Sequence, residues 1–455
     1  MRGTPARAAC VATALLTLIS QAAGAAPVAK TAPAAKATPR VTVGGPPKLT
    51  AKSAILVDAA SGQVLWERAA DQVREPASLT KMMTALLAFE QGRPDDIVVV
   101  SPRAAATGEA SAHLEPGDRV TLHDLLLAVL LPSGNDASVA VAEHVGGSLD
   151  AFVARMNARA QALGLTATHF VNPNGLPDPR HVSSARDLAR LACAALKLPA
   201  FRETVALPEA EITLQPAEAK KPPRKQKLEN HNRLLLPKGG HYWELADGVK
   251  TGYTREAGRC LAASATKDGW QLVCVVLGCT DSWTDARQLL GWGFADFQRV
   301  RLVTQGQTTA RAHVIDGSPP VVTAVAGSSI DVVLSRHGGP PTVRVSESFP
   351  TAPVAAGAEV GELVVSGRGG TELRASLVTP VLVSRSLLAR VHDHLGEVIA
   401  GIVALSLIGA WLIYGAVTKA AGVRRERFAA RVRGDDQGRT SDGGRGPGPS
   451  PGPDG

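Results

Sequence analysis

Three short residue groups stand in order along this 455-residue chain: Ser78-Leu79-Thr80-Lys81, Ser133-Gly134-Asn135 and Lys250-Thr251-Gly252. A serine hydroxyl is a poor nucleophile until a nearby base takes its proton. On a helix, a lysine three residues further on lies on the same face, one turn away, so Lys81 can bring an amine to Ser78. Any one of the groups is common: alone, Ser-x-x-Lys is a surface pair and Lys-Thr-Gly a turn. All three together, in one chain and in this order, describe serine acyl transfer.

The elements that must position these residues can be read from the flanking pattern. Residues 52–67 alternate as a hairpin, with Ser61-Gly62 at its turn. A helix follows, entered through Pro76, and Ser78 lies in its first turn, where backbone N–H groups favour developing negative charge. Leu122 to Leu131 is a helical apolar run stopped by Pro132; Ser133-Gly134-Asn135 is then the loop before a helix over 137–145. Residues 150–163 read as helix. Ser184 and Asp187 form a capping-box pattern opening another, through Leu196. From Val249 the period changes to that of strands, with a hairpin turning at Asp268-Gly269. Strands at both ends and helices between them predict an α/β domain, an antiparallel sheet flanked by a helical cluster, with the site between strand edge and helices. From about Gln298 to Ser384, Val, Thr and Ser alternate between Gly/Pro turns and predict a small all-β domain without chemistry of its own.

The ends of the chain read differently. Arg2 and Arg7, an apolar run from Ala8 to Ile19, and Ala23-Gly24-Ala25 have the order of a cleavable secretory signal. The Ala/Pro/Lys-rich stretch after it is a spacer. Val398 to Val417 is an uncharged, largely apolar run of the length a helix needs to cross about 30 Å of hydrocarbon. Lys419, Arg424, Arg425 and Arg427 follow it and put that side in the cytoplasm. The sequence thus divides into a signal over 1–25, a linker over 26–50, a catalytic domain over 51–297, a β domain over 298–385, a juxtamembrane linker over 386–397, a single span over 398–417 and a tail over 418–455. The folded part is expected outside the cytoplasm, held at the cell membrane.

The net charge of +8 sits mostly in the ends and in Lys220–Lys227, which reads as a solvated Pro-containing loop, so nucleic acid is not an expected partner. Cys193, Cys260, Cys274 and Cys279 are expected as buried free thiols, since counting back from the turn does not bring Cys260 opposite Cys274. No CxxC or His-rich spacing marks a metal site.

With these residues in hand, the chain resembles the serine-type D-alanyl-D-alanine carboxypeptidases, the low-molecular-mass penicillin-binding proteins, over roughly residues 50–385. The likeness extends beyond the three groups to Pro76-Ala77, Asp136-Ala137, Asn172-Pro173-Asn174-Gly175-Leu176, Ser183-Ser184-Ala185-Arg186-Asp187, Asn232-Arg233-Leu234-Leu235 and Leu289-Leu290-Gly291-Trp292-Gly293-Phe294. It implies a β-lactamase/transpeptidase-like fold, no cofactor, peptidoglycan stem peptides as substrate and β-lactams as inhibitors. In the implied mechanism Ser78 attacks the carbonyl between the last two D-alanines and Lys81, kept neutral part of the time by burial beside Lys250, takes its proton. Ser133 relays a proton to the leaving amine and Asn135 holds the substrate amide. Lys250 and Thr251, with Gly252 beside them, meet its carboxylate. The N–H groups of Ser78 and Tyr253 form the oxyanion hole.

The sequence departs from that pattern in three places. The stretch between Glu209 and Leu228 carries an insertion, and the C-terminal anchor is a span rather than an amphipathic helix. After Gly278 the residues are Cys279-Thr280-Asp281-Ser282, so no basic residue there is assigned to the carboxylate. Three other readings compete. A β-lactamase would need a deacylating glutamate, and Glu211-Ile212-Thr213-Leu214-Gln215 alternates as a strand instead. A peptidoglycan endopeptidase would lack the trailing β domain. A silent wall-binding scaffold would have lost Ser78 or Lys81.

Overall fold

The computed structural model describes residues 45–218, 220–238, 240–366 and 372–436. The signal, most of the linker and the tail from residue 437 lie outside them. The described residues form two compact units. The first runs to residue 312 and includes 323–349 and 357–380; the second holds 313–322, 350–356 and the residues from 381.

The first unit is built on an antiparallel sheet. In chain order its strands are β1 (Ser53–Asp58), β2 (Val64–Arg68), β3 (Ala246–Thr254), β4 (Gly258–Lys267) and β5 (Trp270–Cys279), arranged β2-β1-β5-β4-β3. β1 is buried at every position because apolar residues pack on both of its faces: Ile55 and Val57 on one, Ala54 and Leu56 on the other. Helices Lys81–Gln91, Leu122–Leu130, Asn135–Gly146 and Ala185–Leu196 share the first of these cores, and Ser282–Asp296 packs in the second. The predicted sheet with a helical cluster is therefore what forms. Asp268 and Gly269 both have positive φ in the two-residue turn between β4 and β5, the conformation a tight hairpin requires. Its register sets Cys274 opposite Ala263, and all four thiols are free and buried.

The basic run is a loop only over Lys220–Pro223; Arg224–Glu229 is a strand paired antiparallel with Glu209–Leu214. Its charges alternate along the strand. Arg224 reaches inward to Glu115 and Asp118, while Lys225 pairs outward with Glu211 at 2.7 Å. The compact units do not divide at 297/298. Phe297–Val303 pairs with Ile330–Ser335, and Gln63 bonds both the N–H and the carbonyl of Val333. Beyond it Glu359–Ser366 pairs antiparallel on one side with Thr342–Glu347 and on the other with Glu372–Val378.

In the second unit Gly317–Ser318 pairs with Ser384–Arg385, and a single helix runs from Leu387 to Asp436. The stretch read as a juxtamembrane linker is the start of that helix, because the Ser386 hydroxyl accepts the Ala389 N–H and caps it. It is the one helix among the described residues long and apolar enough to cross a membrane, by length and composition.

Candidate active site

Ser78 sits in a tight 3-10 turn, Ala77–Thr80, just before the helix Lys81–Gln91. The helix thus starts at Lys81, after Ser78 rather than before it, but the three-residue spacing still works: Lys81 Nζ lies 3.0 Å from Ser78 Oγ. The turn is strained at Ala77, whose φ is +48°. Two contacts hold it there. Gly175 (φ +85°) passes so close that a Cβ would fall 2.0 Å from the Ala77 carbonyl oxygen. The Thr80 hydroxyl donates to that same oxygen at 2.8 Å.

His181 backs this arrangement. The Val171 N–H donates to its Nδ1 at 3.0 Å, so the neutral ring carries its proton on Nε2 and donates to Thr80 Oγ1 at 2.8 Å. Burial pushes the ring down to about 4, which keeps it neutral.

Lys81 is fully buried. Its Nζ contacts the Asn135 side-chain oxygen and the Asn174 carbonyl, each at 2.7 Å, besides Ser78. Desolvation first, and then the Lys250 charge, hold Lys81 well below the usual lysine range. The contacts say where its lone pair points. Two neighbours are carbonyl oxygens that only accept, so a neutral amine gives them its two N–H bonds. The Ser78 hydroxyl is the one contact able to donate, and it faces the lone pair.

Asn135 spends both ends of its amide, accepting from Lys81 and donating to the Gly108 carbonyl at 2.9 Å. Asp136 beside it accepts from Ser111 Oγ and the N–H groups of Ala112, Leu114 and Ala137. It therefore pins the segment that carries Glu109 and Ala110 along the site. Ser133, in left-handed backbone at φ +68°, has a buried hydroxyl with no hydrogen-bond partner among the described residues.

Lys250 is buried on β3, pushed by desolvation to about 7, and donates to the Thr251 carbonyl at 3.1 Å. β3 is the edge strand of its sheet, and it reaches the nucleophile because residue 252 is glycine. A Cβ there would meet Ser78 N at 3.2 Å and Leu79 N at 3.3 Å. Ser78, Ser133, Thr251, Gly252 and Tyr253 line one cavity of about 490 Å³.

Of the residues assigned to the site from the sequence, Ser78 and Asn135 each contact Lys81, Ser133, Thr251, Gly252 and Tyr253 share the cavity with Ser78, and Lys250 lies buried on β3. Glu211 does not line the cavity. The sequence marks Asp136 and Arg233 only as parts of matching motifs, without a role, and gives no site role to His181, Arg259 or Trp283. Asp136 and Arg233 stand inside quoted motifs and His181 lies between two of them, which is a usable signal; Arg259 has none.

A family profile of the D-alanyl-D-alanine carboxypeptidases matches residues 40–281. The chain belongs to this family. It is 33% identical over 331 residues to the D-alanyl-D-alanine carboxypeptidase DacF of Bacillus subtilis (strain 168), covering 70% of this chain and 82% of that one. To DacC of Escherichia coli (strain K12), a carboxypeptidase of the same description, it is 36% identical over 335 residues, 70% of this chain and 80% of the relative. Among solved structures, penicillin binding protein 5 from Haemophilus influenzae superposes with a TM-score of 0.62 at 31% identity, covering 75% of this chain and 99% of that one.

Proposed function

We propose that this protein removes the terminal D-alanine from peptidoglycan stem pentapeptides through an acyl-enzyme on Ser78, and that β-lactams acylate the same serine. The observation that carries the reading is the Lys81 amine, buried among two fixed acceptors and Ser78 Oγ. A neutral Lys81 takes the Ser78 proton as Oγ attacks the carbonyl carbon between the last two residues. The oxyanion meets the N–H groups of Ser78 and Tyr253, brought together by the close passage of Gly252. Ser133, whose hydroxyl is otherwise unpaired among the described residues, relays the proton that Lys81 took from Ser78 to the leaving amine, which returns Lys81 to its neutral form. D-Alanine departs, and water then hydrolyses the ester.

Asn135 holds Lys81 and, with it, the geometry of the attack. Thr251 faces the substrate, while Lys250 works from below, its charge keeping the Lys81 proton loosely held. The helix from Leu387, with its apolar run and the basic residues after it, supports a membrane-held protein whose catalytic part works outside the cytoplasm. The test is covalent. Incubation with a fluorescent penicillin should add one label per chain, mapped by peptide mass spectrometry to Ser78; a label on another residue would remove the basis of this mechanism.

A further inference from the structure

A carboxypeptidase must recognise a carboxylate at the end of its substrate, and the charge suited to that task is not the one the sequence pointed to. Lys250 is only 1% exposed, and its ammonium is engaged with the Thr251 carbonyl at 3.1 Å rather than free for a ligand. A guanidinium stays charged at any working pH and offers a flat fork of donors that matches a carboxylate. Two guanidiniums line the cavity that holds Ser78, those of Arg233 and Arg259.

Arg259 lies on β4 directly opposite Tyr253 in the β3–β4 pairing, one residue beyond the Lys-Thr-Gly group. Its guanidinium sits 5.8 Å from the Tyr253 ring centre and 5.5 Å from that of Trp283; Arg233 stacks on the same indole at 4.9 Å. Both side chains are exposed and line the cavity, and both guanidiniums lie within cation–π reach of the Trp283 ring. Neither forms an ion pair with a carboxylate among the described residues, although Glu109 and Glu229 line the same cavity. Like charges gathered on one ring beside a nucleophile, with no counter-ion, are an arrangement that an anion completes.

We propose that Arg259, with Arg233 beside it on Trp283, reads the terminal carboxylate of the substrate and so fixes the reaction to the end of the peptide. The proposal rests on the carboxypeptidase reading above. Arg259 is held by cross-strand pairing with the strand that borders Ser78, so a carboxylate on its fork orients the preceding peptide bond relative to Ser78. It also answers why Cys279-Thr280-Asp281-Ser282 can follow β5 without a basic residue: the charge comes from the start of β4, and Trp283, just after Ser282, is its platform.

The experiment compares full-length protein in detergent on three peptides. One ends in D-Ala-D-Ala with a free carboxylate, one has that terminus amidated, and one keeps it free but has its side-chain carboxylates amidated. Cleavage is followed by mass spectrometry of the shortened peptide. Arg259→Gln should lower kcat/KM about 10–100-fold on both peptides with a free terminus and change the amidated terminus less than about threefold. Arg259→Lys, which keeps charge without the fork, should fall between. An equal loss on all three peptides would assign Arg259 a general structural role and overturn the proposal. A loss that followed the side-chain carboxylates instead would overturn it in favour of a different anion. If the wild type cleaves and Arg259→Gln matches it, the proposal alone fails; if the folded wild type cleaves none of the peptides, the carboxypeptidase reading fails with it.

Discussion

Replacing Gly175 by alanine presses on the nucleophile without altering any reacting group. The added Cβ would fall 2.0 Å from the Ala77 carbonyl oxygen, 2.4 Å from its carbon and 3.0 Å from Ser78 N, at a backbone φ of +85°. Left-handed backbone costs an alanine roughly 1–2 kcal/mol. Relieving an overpacked contact costs about 1–3 kcal/mol more. The contact atoms are backbone, so relief requires the Ala77–Thr80 turn itself to move. A total of roughly 2–5 kcal/mol lowers Tm by about 3–8 °C in a unit this large, at about 2.1 cal/mol/K of unfolding entropy per residue. Moving Ser78 by about 1 Å slows its chemistry by about 100-fold. Both effects are measurable on one preparation, by thermal unfolding and by the rate of fluorescent penicillin labelling at a temperature where the variant is fully folded. Labelling at the wild-type rate, with Tm unchanged, would mean that Gly175 does not shape the nucleophile turn.

Three further outcomes follow from the same contacts. Lys81→Met removes the base while keeping an unbranched apolar chain, and penicillin labelling should slow by about 100–10,000-fold with the circular dichroism spectrum retained. His181 is depressed to about 4 against an ordinary 6.5, so the unfolded chain binds more protons between those values; stability should be full above pH 6.5 and fall by about 3 kcal/mol as pH drops toward 4. In His181→Gln, unfolding measured across pH 4–7 should lose that part of the slope. Asp136→Asn turns a buried acceptor of several hydrogen bonds into a partial donor beside the Ala112 and Leu114 N–H groups; it should cost about 2–4 kcal/mol in chemical denaturation and raise KM more than it lowers kcat.

What the sequence made legible was whatever depends on short spacing. Ser78 and Lys81 meet because they are three residues apart, and Ser184 caps its helix through Asp187 N–H as the pattern implied. The β4–β5 hairpin was readable because only a few residue types accept the two left-handed positions of its turn. Features set by distant partners were hidden. Arg224 reads as part of a solvated basic run until Glu115 and Asp118 are seen facing it, more than a hundred residues upstream. The carbonyl of Asn174 fixes Lys81 through its backbone, which residue identity does not announce. Arg259 acquires meaning only from strand register opposite Tyr253 and from an indole at residue 283. Ser78 lies in a 3-10 turn because Gly175 and Thr80 engage the Ala77 carbonyl, and neither contact follows from helix propensity.

The central claim is that Ser78 attacks the bond before a terminal D-alanine. It is tested most directly by measuring D-alanine release from a peptide ending in Lys-D-Ala-D-Ala, for the wild type and Ser78→Ala, alongside a cross-linked peptide dimer. The account predicts D-alanine in step with the shortened peptide from the wild type and none from Ser78→Ala. Cleavage confined to the cross-linked dimer would make the protein an endopeptidase, and release that persisted in Ser78→Ala would contradict the mechanism outright.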